Sequence, residues 1–127
     1  MSSFALYIHY PFCTTRCPYC GFATHLDDAD LSVQYRQAMM HELKGQSSRA
    51  PWQGSTIASI FMGGGTPSLL PAGFVDQLLS EVRGLWQISD DAEITIEANP
   101  GTRDVEKFSG YLEAGINRLS IGAQSFH

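Results

Sequence analysis

At 127 residues with 43% hydrophobic content, the chain holds enough apolar residues for one globular core and too few positions for two of ordinary size. Its 13 acidic against 8 basic residues, a net charge of -5, argue against a nucleic-acid or anionic-membrane surface, both of which need a concentrated basic patch. No apolar run reaches the roughly 18 residues of a spanning helix, and the start Met1-Ser2-Ser3-Phe4-Ala5 lacks a basic segment followed by an apolar one. The chain thus reads as soluble and cytoplasmic, with no nucleic acid and no membrane span expected.

In chain order, Phe4 to Tyr10 mixes aromatic and branched residues over a strand's length and stops at Pro11, as a buried strand feeding a loop does. That loop holds all 3 cysteines, Cys13, Cys17 and Cys20. Beyond it Asp27, Asp28 and Asp30 are available N-caps. Leu31, Tyr35, Met39 and Leu43 then recur every four residues before Gly45, which predicts an amphipathic helix ended by glycine, with Met39 and Met40 as core filler. The polar, turn-rich segment 46–54 connects it to a second strand, Ile57 to Met62, which ends at Gly63-Gly64-Gly65-Thr66-Pro67. Pro71 opens a helix with Phe74, Val75, Leu78, Leu79, Val82 and Leu85 on one broad apolar face. Glu93 to Ala98 alternates with period two and ends at Asn99-Pro100-Gly101. Thr102 can cap a third helix carrying Val105, Phe108 and Leu112 and closed by Gly115, and Arg118 to Gly122 forms a fourth strand.

A strand-loop-helix unit repeated in this way and followed by a lone strand predicts an α/β fold of parallel strands with right-handed crossovers. Such folds place their chemistry at the C-terminal ends of strands, and here those ends carry the cysteines, the glycine run, Glu97 and Gln124. A set of strands this small cannot close an eight-stranded barrel and leaves its last strand uncovered on one side. The expected architecture is therefore the parallel (βα)3β portion of an incomplete TIM-type barrel, with residues 1–127 as the N-terminal part of a longer chain and a cluster loop at 11–26.

The spacing Cys13-x-x-x-Cys17-x-x-Cys20 gathers three thiolates around one centre, and an odd cysteine count in one motif suits metal ligands better than a disulfide framework. On a four-iron cube three ligands leave one iron open for chemistry. A zinc site completed by His25 and a redox Cys-x-x-Cys remain alternatives, although zinc sites usually pair their cysteines and the redox motif usually opens a helix. The glycine run is neither a P-loop nor a dinucleotide fingerprint, since no Gly-Lys-Ser/Thr follows and Pro67 spoils the helix start. It is either a tight turn or a strand end that a ligand's polar groups can approach closely. His9 reads as a satisfied strand residue and Trp52 and Trp86 as packing residues.

Leu6-Tyr7-Ile8-His9-Tyr10-Pro11-Phe12-Cys13 with Cys17-Pro18-Tyr19-Cys20, then Phe61-Met62-Gly63-Gly64-Gly65-Thr66-Pro67-Ser68, Ile94-Thr95-Ile96-Glu97-Ala98-Asn99-Pro100-Gly101 and Asn117-Arg118-Leu119-Ser120-Ile121-Gly122-Ala123-Gln124-Ser125-Phe126, resemble the radical S-adenosylmethionine superfamily. Within it the resemblance is to the branch of oxygen-independent coproporphyrinogen III oxidases (HemN) and HemW-type haem chaperones. It implies a 4Fe-4S cluster on Cys13, Cys17 and Cys20 whose open iron chelates S-adenosyl-L-methionine, and reductive cleavage of that molecule to a 5'-deoxyadenosyl radical. It also implies cofactor contacts from Tyr7, Tyr19, Gly64, Gly65, Thr66, Glu97 and Gln124. On the residues alone, Tyr7 and Tyr19 could instead be core aromatics and Glu97 a surface carboxylate.

Cys20-Gly21-Phe22 lies between the Cys-Gly-Cys typical of the oxidases and the Cys-Asp-Phe typical of the chaperones, and Phe22 removes the fourth cysteine. Ser68-Leu69-Leu70, Ala98-Asn99-Pro100-Gly101 and the short stretch before the motif also look like the chaperone branch, while Tyr10 and Ala123 are mild departures from it. The resemblance thus implies haem binding, transfer of haem to an acceptor, and an electron donor such as a flavodoxin or ferredoxin-type protein. The alternatives are a coproporphyrinogen III oxidase acting on a porphyrinogen, and a truncated metal-binding fragment without turnover.

Overall fold

The computed structural model describes residues 2–13, 25–26, 29–98 and 102–121. Parallel strands β1 (Ser3–Tyr10), β4 (Thr56–Gly64), β5 (Gln87–Ala98) and β6 (Arg118–Ile121) form one sheet in the order β1-β4-β5-β6. Between them run helices α1 (Ala29–Ser47), α2 (Ala72–Leu85) and α3 (Thr102–Ala114). A second, two-stranded parallel sheet of β2 (Phe12–Cys13) and β3 (His25–Leu26) brackets segment 14–24. Strand order follows chain order, so same-handed crossovers put the helices on one face of the sheet. That face carries Leu6, Ile8 and Tyr10 beside Ile60 and Met62, then Ile94 and Ile96, then Leu119, in register across the strands. Val75, Leu78, Leu79 and Val82 of α2 and Tyr111 and Ala114 of α3 complete a single core against it.

The expected parallel α/β architecture is present, with differences in local detail. Gly45 lies inside α1, which continues to Ser47, because its φ is not positive and the Ser47 and Ser48 hydroxyls donate to the Lys44 and Gly45 carbonyls of the last turn. Asp30 sits in the first turn of α1, while Asp27 and Asp28 lie outside the described residues. β4 extends through Gly63 and Gly64, so the glycine run is part strand. β5 starts at Gln87, because the register jumps from Ile57↔Ile88 to Ser59↔Glu93 and leaves 89–92 out of the ladder. On α3 the buried positions are Tyr111 and Ala114, whereas Leu112 is 62% exposed. The side chain of Val105 lies outside the described residues.

At the opposite end of the sheet from Cys13, Phe4, Trp52 and Trp86 pack together, with ring centroids 5.1 and 5.5 Å apart from Phe4, and Trp86 Nε1 donates to the Trp52 carbonyl. Gly115 closes α3 as expected. Its φ is +119°, its amide bonds back to Tyr111 and Leu112, and a Cβ there would lie 2.1 Å from Arg83 Nη2, which donates to the Ala114 carbonyl. Gly115→Ala should therefore lower the unfolding free energy by about 2 kcal/mol, read as a shift in the urea midpoint. An unshifted midpoint would contradict the strain assigned to this cap.

Candidate functional site

Period-two alternation sends the remaining strand residues to the face away from the helices. Registers Tyr7↔Phe61↔Thr95 and Glu97↔Ser120, with His9 opposite Gly63, place these residues side by side across the sheet. The face is polar and aromatic where the other is aliphatic.

At its centre the bare backbone of Gly63 lets its neighbours close in. A Cβ on Gly63 would lie 2.6 Å from Glu97 Oε1, 2.8 Å from the Phe61 ring and 3.1 Å from the Tyr7 ring. With no side chain there, Glu97 folds across the strand, and Oε1 accepts the Gly64 N–H at 3.0 Å. Tyr7 stacks on Phe61 at 6.1 Å between centroids and 15° between planes, and its hydroxyl lies 3.1 Å from His9 Nδ1. Burial, and secondarily the Glu97 carboxylate, raise the Tyr7 phenol above its ordinary 10.0. Near neutral pH Tyr7 is therefore an uncharged hydroxyl that both donates and accepts. It is 55% exposed, which makes it a face residue and not a core aromatic.

Beside Gly63 stands the threshold of the cysteine loop. The Gly65 and Thr66 amides donate to the Tyr10 and Phe12 carbonyls, each at 2.8 Å. A Cβ on Gly65 would come within 2.6 Å of the Pro11 oxygen and 2.7 Å of the Phe12 oxygen. Tyr35, on α1, donates its hydroxyl to the His9 carbonyl and sets its ring edge-on to Tyr10 and Phe12 at 6.0 and 5.7 Å. From this packed base β2 runs to Cys13, and the pairs Phe12↔His25 and Cys13↔Leu26 bring both ends of segment 14–24 to one ladder.

The sheet thus brings Tyr7, Gly64, Gly65, Thr66 and Glu97 together, and starts the loop of Cys13 next to them. Cys17, Tyr19, Cys20 and Gln124 lie outside the described residues, as does the side chain of Cys13. Among the described residues no three His, Cys, Asp or Glu side chains could hold a metal ion, the cysteines being outside that set. None of their helices is long and apolar enough to cross a membrane.

The amides of the glycine run are engaged by Glu97 and by the loop's leading strand. An ammonium group is donor only, so it is the carbonyls of the run that suit such a ligand. The sequence pattern alone does not mark His9, Phe61 and Tyr35 as site residues. Strand parity with Tyr7 is the signal that would have found His9, but the neighbours of Phe61 and Tyr35 come from other elements.

The radical SAM superfamily model matches residues 7–127. The chain is 44% identical over 126 residues to the heme chaperone HemW of Haemophilus influenzae and 45% identical over 123 residues to that of Escherichia coli K12. These alignments take in 97% and 96% of this chain, but only 33% and 32% of the relatives. It is also 36% identical to the anaerobilin synthase of Escherichia coli O157:H7, over 96% of this chain and 27% of that protein. Among solved structures it resembles the coproporphyrinogen III oxidase HemN from Escherichia coli, described as a radical SAM enzyme, with a TM-score of 0.83 and 28% identity. That match covers 99% of this chain and 29% of the other. The chain spans about a third of the length of the curated HemW relatives it matches. With a family model matched almost end to end and a sheet that superposes on the HemN barrel, this chain belongs to the radical SAM superfamily and is of the HemW/HemN type.

Proposed function

We propose that this chain is the leading part of a HemW-like radical SAM haem chaperone, which holds a 4Fe-4S cluster on Cys13, Cys17 and Cys20, binds S-adenosyl-L-methionine, and passes haem to an acceptor. The observation that carries this reading is the likeness to heme chaperones named HemW, at 44% and 45% identity across nearly the whole chain. In this reading residues 1–127 supply the first strands of a longer barrel.

The residues present fit these groups. Three thiol donors in Cys-x-x-x-Cys-x-x-Cys spacing leave a coordination position on a four-iron cluster. On the polar face Glu97 closes over Gly63 beside Tyr7 and the glycine run, which sets a carboxylate, a phenol and bare backbone side by side. When bound, the cluster and S-adenosylmethionine together supply reductive chemistry at the sulfonium, with electrons from a flavodoxin or ferredoxin-type donor. Of the chain's own residues, Glu97 and the carbonyls of Gly64 and Gly65 supply acceptors for an ammonium or hydroxyl. Thr66 offers a hydroxyl, and Tyr7 gives a neutral hydroxyl with an aromatic face. Tyr19 and Gln124 are assigned to the same pocket from the family motifs.

A coproporphyrinogen III oxidase is the second reading, supported by the structural likeness to HemN. Against it stands Phe22, where the oxidase pattern has a further cysteine. Anaerobic reconstitution of the full-length protein should give the broad visible absorption of an iron-sulfur cluster, lost in the Cys13, Cys17 and Cys20 triple alanine variant. Haem should then co-purify or titrate in, and no protoporphyrinogen should form from coproporphyrinogen III, reductant and S-adenosylmethionine. Absorption that persists in the triple variant rejects the cluster assignment, and protoporphyrinogen formation rejects the chaperone assignment.

A further inference from the structure

In the proposed function the glycine run serves S-adenosylmethionine. The hydrogen bonds assign part of it a second task. Successive amides of the run point to different places: Gly64 to the Glu97 carboxylate, Gly65 to the Tyr10 carbonyl and Thr66 to the Phe12 carbonyl. The last two fasten the segment that ends at Cys13. Gly65 meets that segment so closely that a Cβ would press on the oxygens of Pro11 and Phe12, which are backbone atoms and cannot swing aside as a side-chain tip can. Tyr35 holds the preceding His9 carbonyl from the helix side. The strand leading into the cysteine loop is thus gripped from two directions, and the loop's far end returns to the same ladder through Cys13↔Leu26.

We infer that the Gly65–Thr66 backbone is a positioning clamp for the cluster loop, fixing the approach to Cys13 so that the cluster is retained whether or not S-adenosylmethionine is bound. The inference rests on the cluster assignment above. It makes Gly65 a positioning residue for the metal centre, separate from any contact the run makes with the cofactor. The physical cause is preorganisation: a ligand loop whose leading strand is already fixed loses less conformational freedom when its thiolates take up the cluster.

The test compares iron release to an excess of chelator, without S-adenosylmethionine, in the reconstituted full-length wild type, Gly65→Ala and Thr66→Ala. Gly65→Ala should release iron about tenfold faster, the consequence of weakening two ordinary hydrogen bonds. Thr66→Ala keeps its backbone amide and should release iron at the wild-type rate. A Gly65→Ala protein that holds iron as long as the wild type, with only S-adenosylmethionine binding weakened, overturns the inference and leaves the proposed function standing. A wild type that assembles no cluster overturns both. If Gly65→Ala does not fold, amide hydrogen exchange in the wild type decides. The Gly65 and Thr66 amides should exchange more slowly with the cluster loaded than after its removal, and equal rates overturn the clamp.

Discussion

Glu97→Ala should lower the unfolding free energy by about 2 kcal/mol and weaken S-adenosylmethionine binding about tenfold or more, because one carboxylate holds the glycine run and faces the proposed cofactor space. Glu97 Oε1 accepts the Gly64 amide at 3.0 Å, and a hydrogen bond to an ionised acceptor contributes more than a neutral one. The substitution also leaves the Gly64 amide, at a φ of +120°, without that partner in a half-buried place. A third consequence separates the electrostatic role from the packing role. Burial is the larger cause of the raised Tyr7 pKa and the Glu97 charge the smaller, so removing the charge should lower the Tyr7 pKa relative to wild type yet leave it above 10.0. The sign follows from charge: a nearby carboxylate opposes formation of a phenolate, and its loss makes ionisation easier. Titration of the Tyr7 ring carbon by NMR reads this directly. A Tyr7 pKa unchanged by Glu97→Ala would mean that the two side chains do not sense one another.

Tyr111→Ala is the second large effect, with an expected loss of about 4 kcal/mol of stability, as for removal of a large aromatic from a packed core. Tyr111 is fully buried, and its hydroxyl proton is shared between the carbonyls of Leu70, at 2.6 Å, and Ser68, at 3.1 Å. Tyr111→Phe retains the ring and should cost less, about 1–3 kcal/mol, the range for a buried carbonyl losing its donor. Lys107 Nζ still reaches the Ser68 oxygen at 2.8 Å, so the Leu70 oxygen bears most of that loss. The position matters for function because a 3-10 turn, Pro67–Leu69, follows the glycine run directly, and α3 fixes that turn through Tyr111 and Lys107. Urea denaturation of both variants separates the ring from the hydroxyl. Equal losses in the two would assign the whole effect to the hydrogen bonds and contradict the cavity estimate.

Local pattern fixes an element wherever a single period and a single breaker decide it. The strand at Tyr7 and Ile8, the α2 face of Val75, Leu78, Leu79 and Val82, and the Gly115 terminus are all of this kind. So is the parallel order, since alternating strands and helices admit few other connections. Where two signals compete, further contacts decide. Gly45 could have stopped α1, but the helix runs two residues further, to Ser47, with the Ser47 and Ser48 hydroxyls capping the Lys44 and Gly45 carbonyls. Leu112 has the right period for the core, but α3 turns Tyr111 toward the Ser68 and Leu70 carbonyls instead. The start of β5 is hidden because a bulge of polar residues, with Ser89 donating to Asp91, interrupts the alternation that marks a strand.

The same division holds at the site. By itself the sequence determined the residue types and their order: thiols after the first strand, glycines at the end of the second, a carboxylate at the end of the third. The resemblance of those motifs to the radical SAM superfamily follows from that order alone. Only the tertiary structure decided what the glycines do, because an amide's partner depends on which strand lies beside it and in which register. Pairing β1 with β4 at Tyr10↔Gly64 turns the Gly65 and Thr66 amides onto the strand that leads to Cys13, and pairing β4 with β5 at Met62↔Ile96 brings Glu97 across Gly63. A one-residue slip in either register would put those side chains on the opposite face, with the composition and the motifs unchanged.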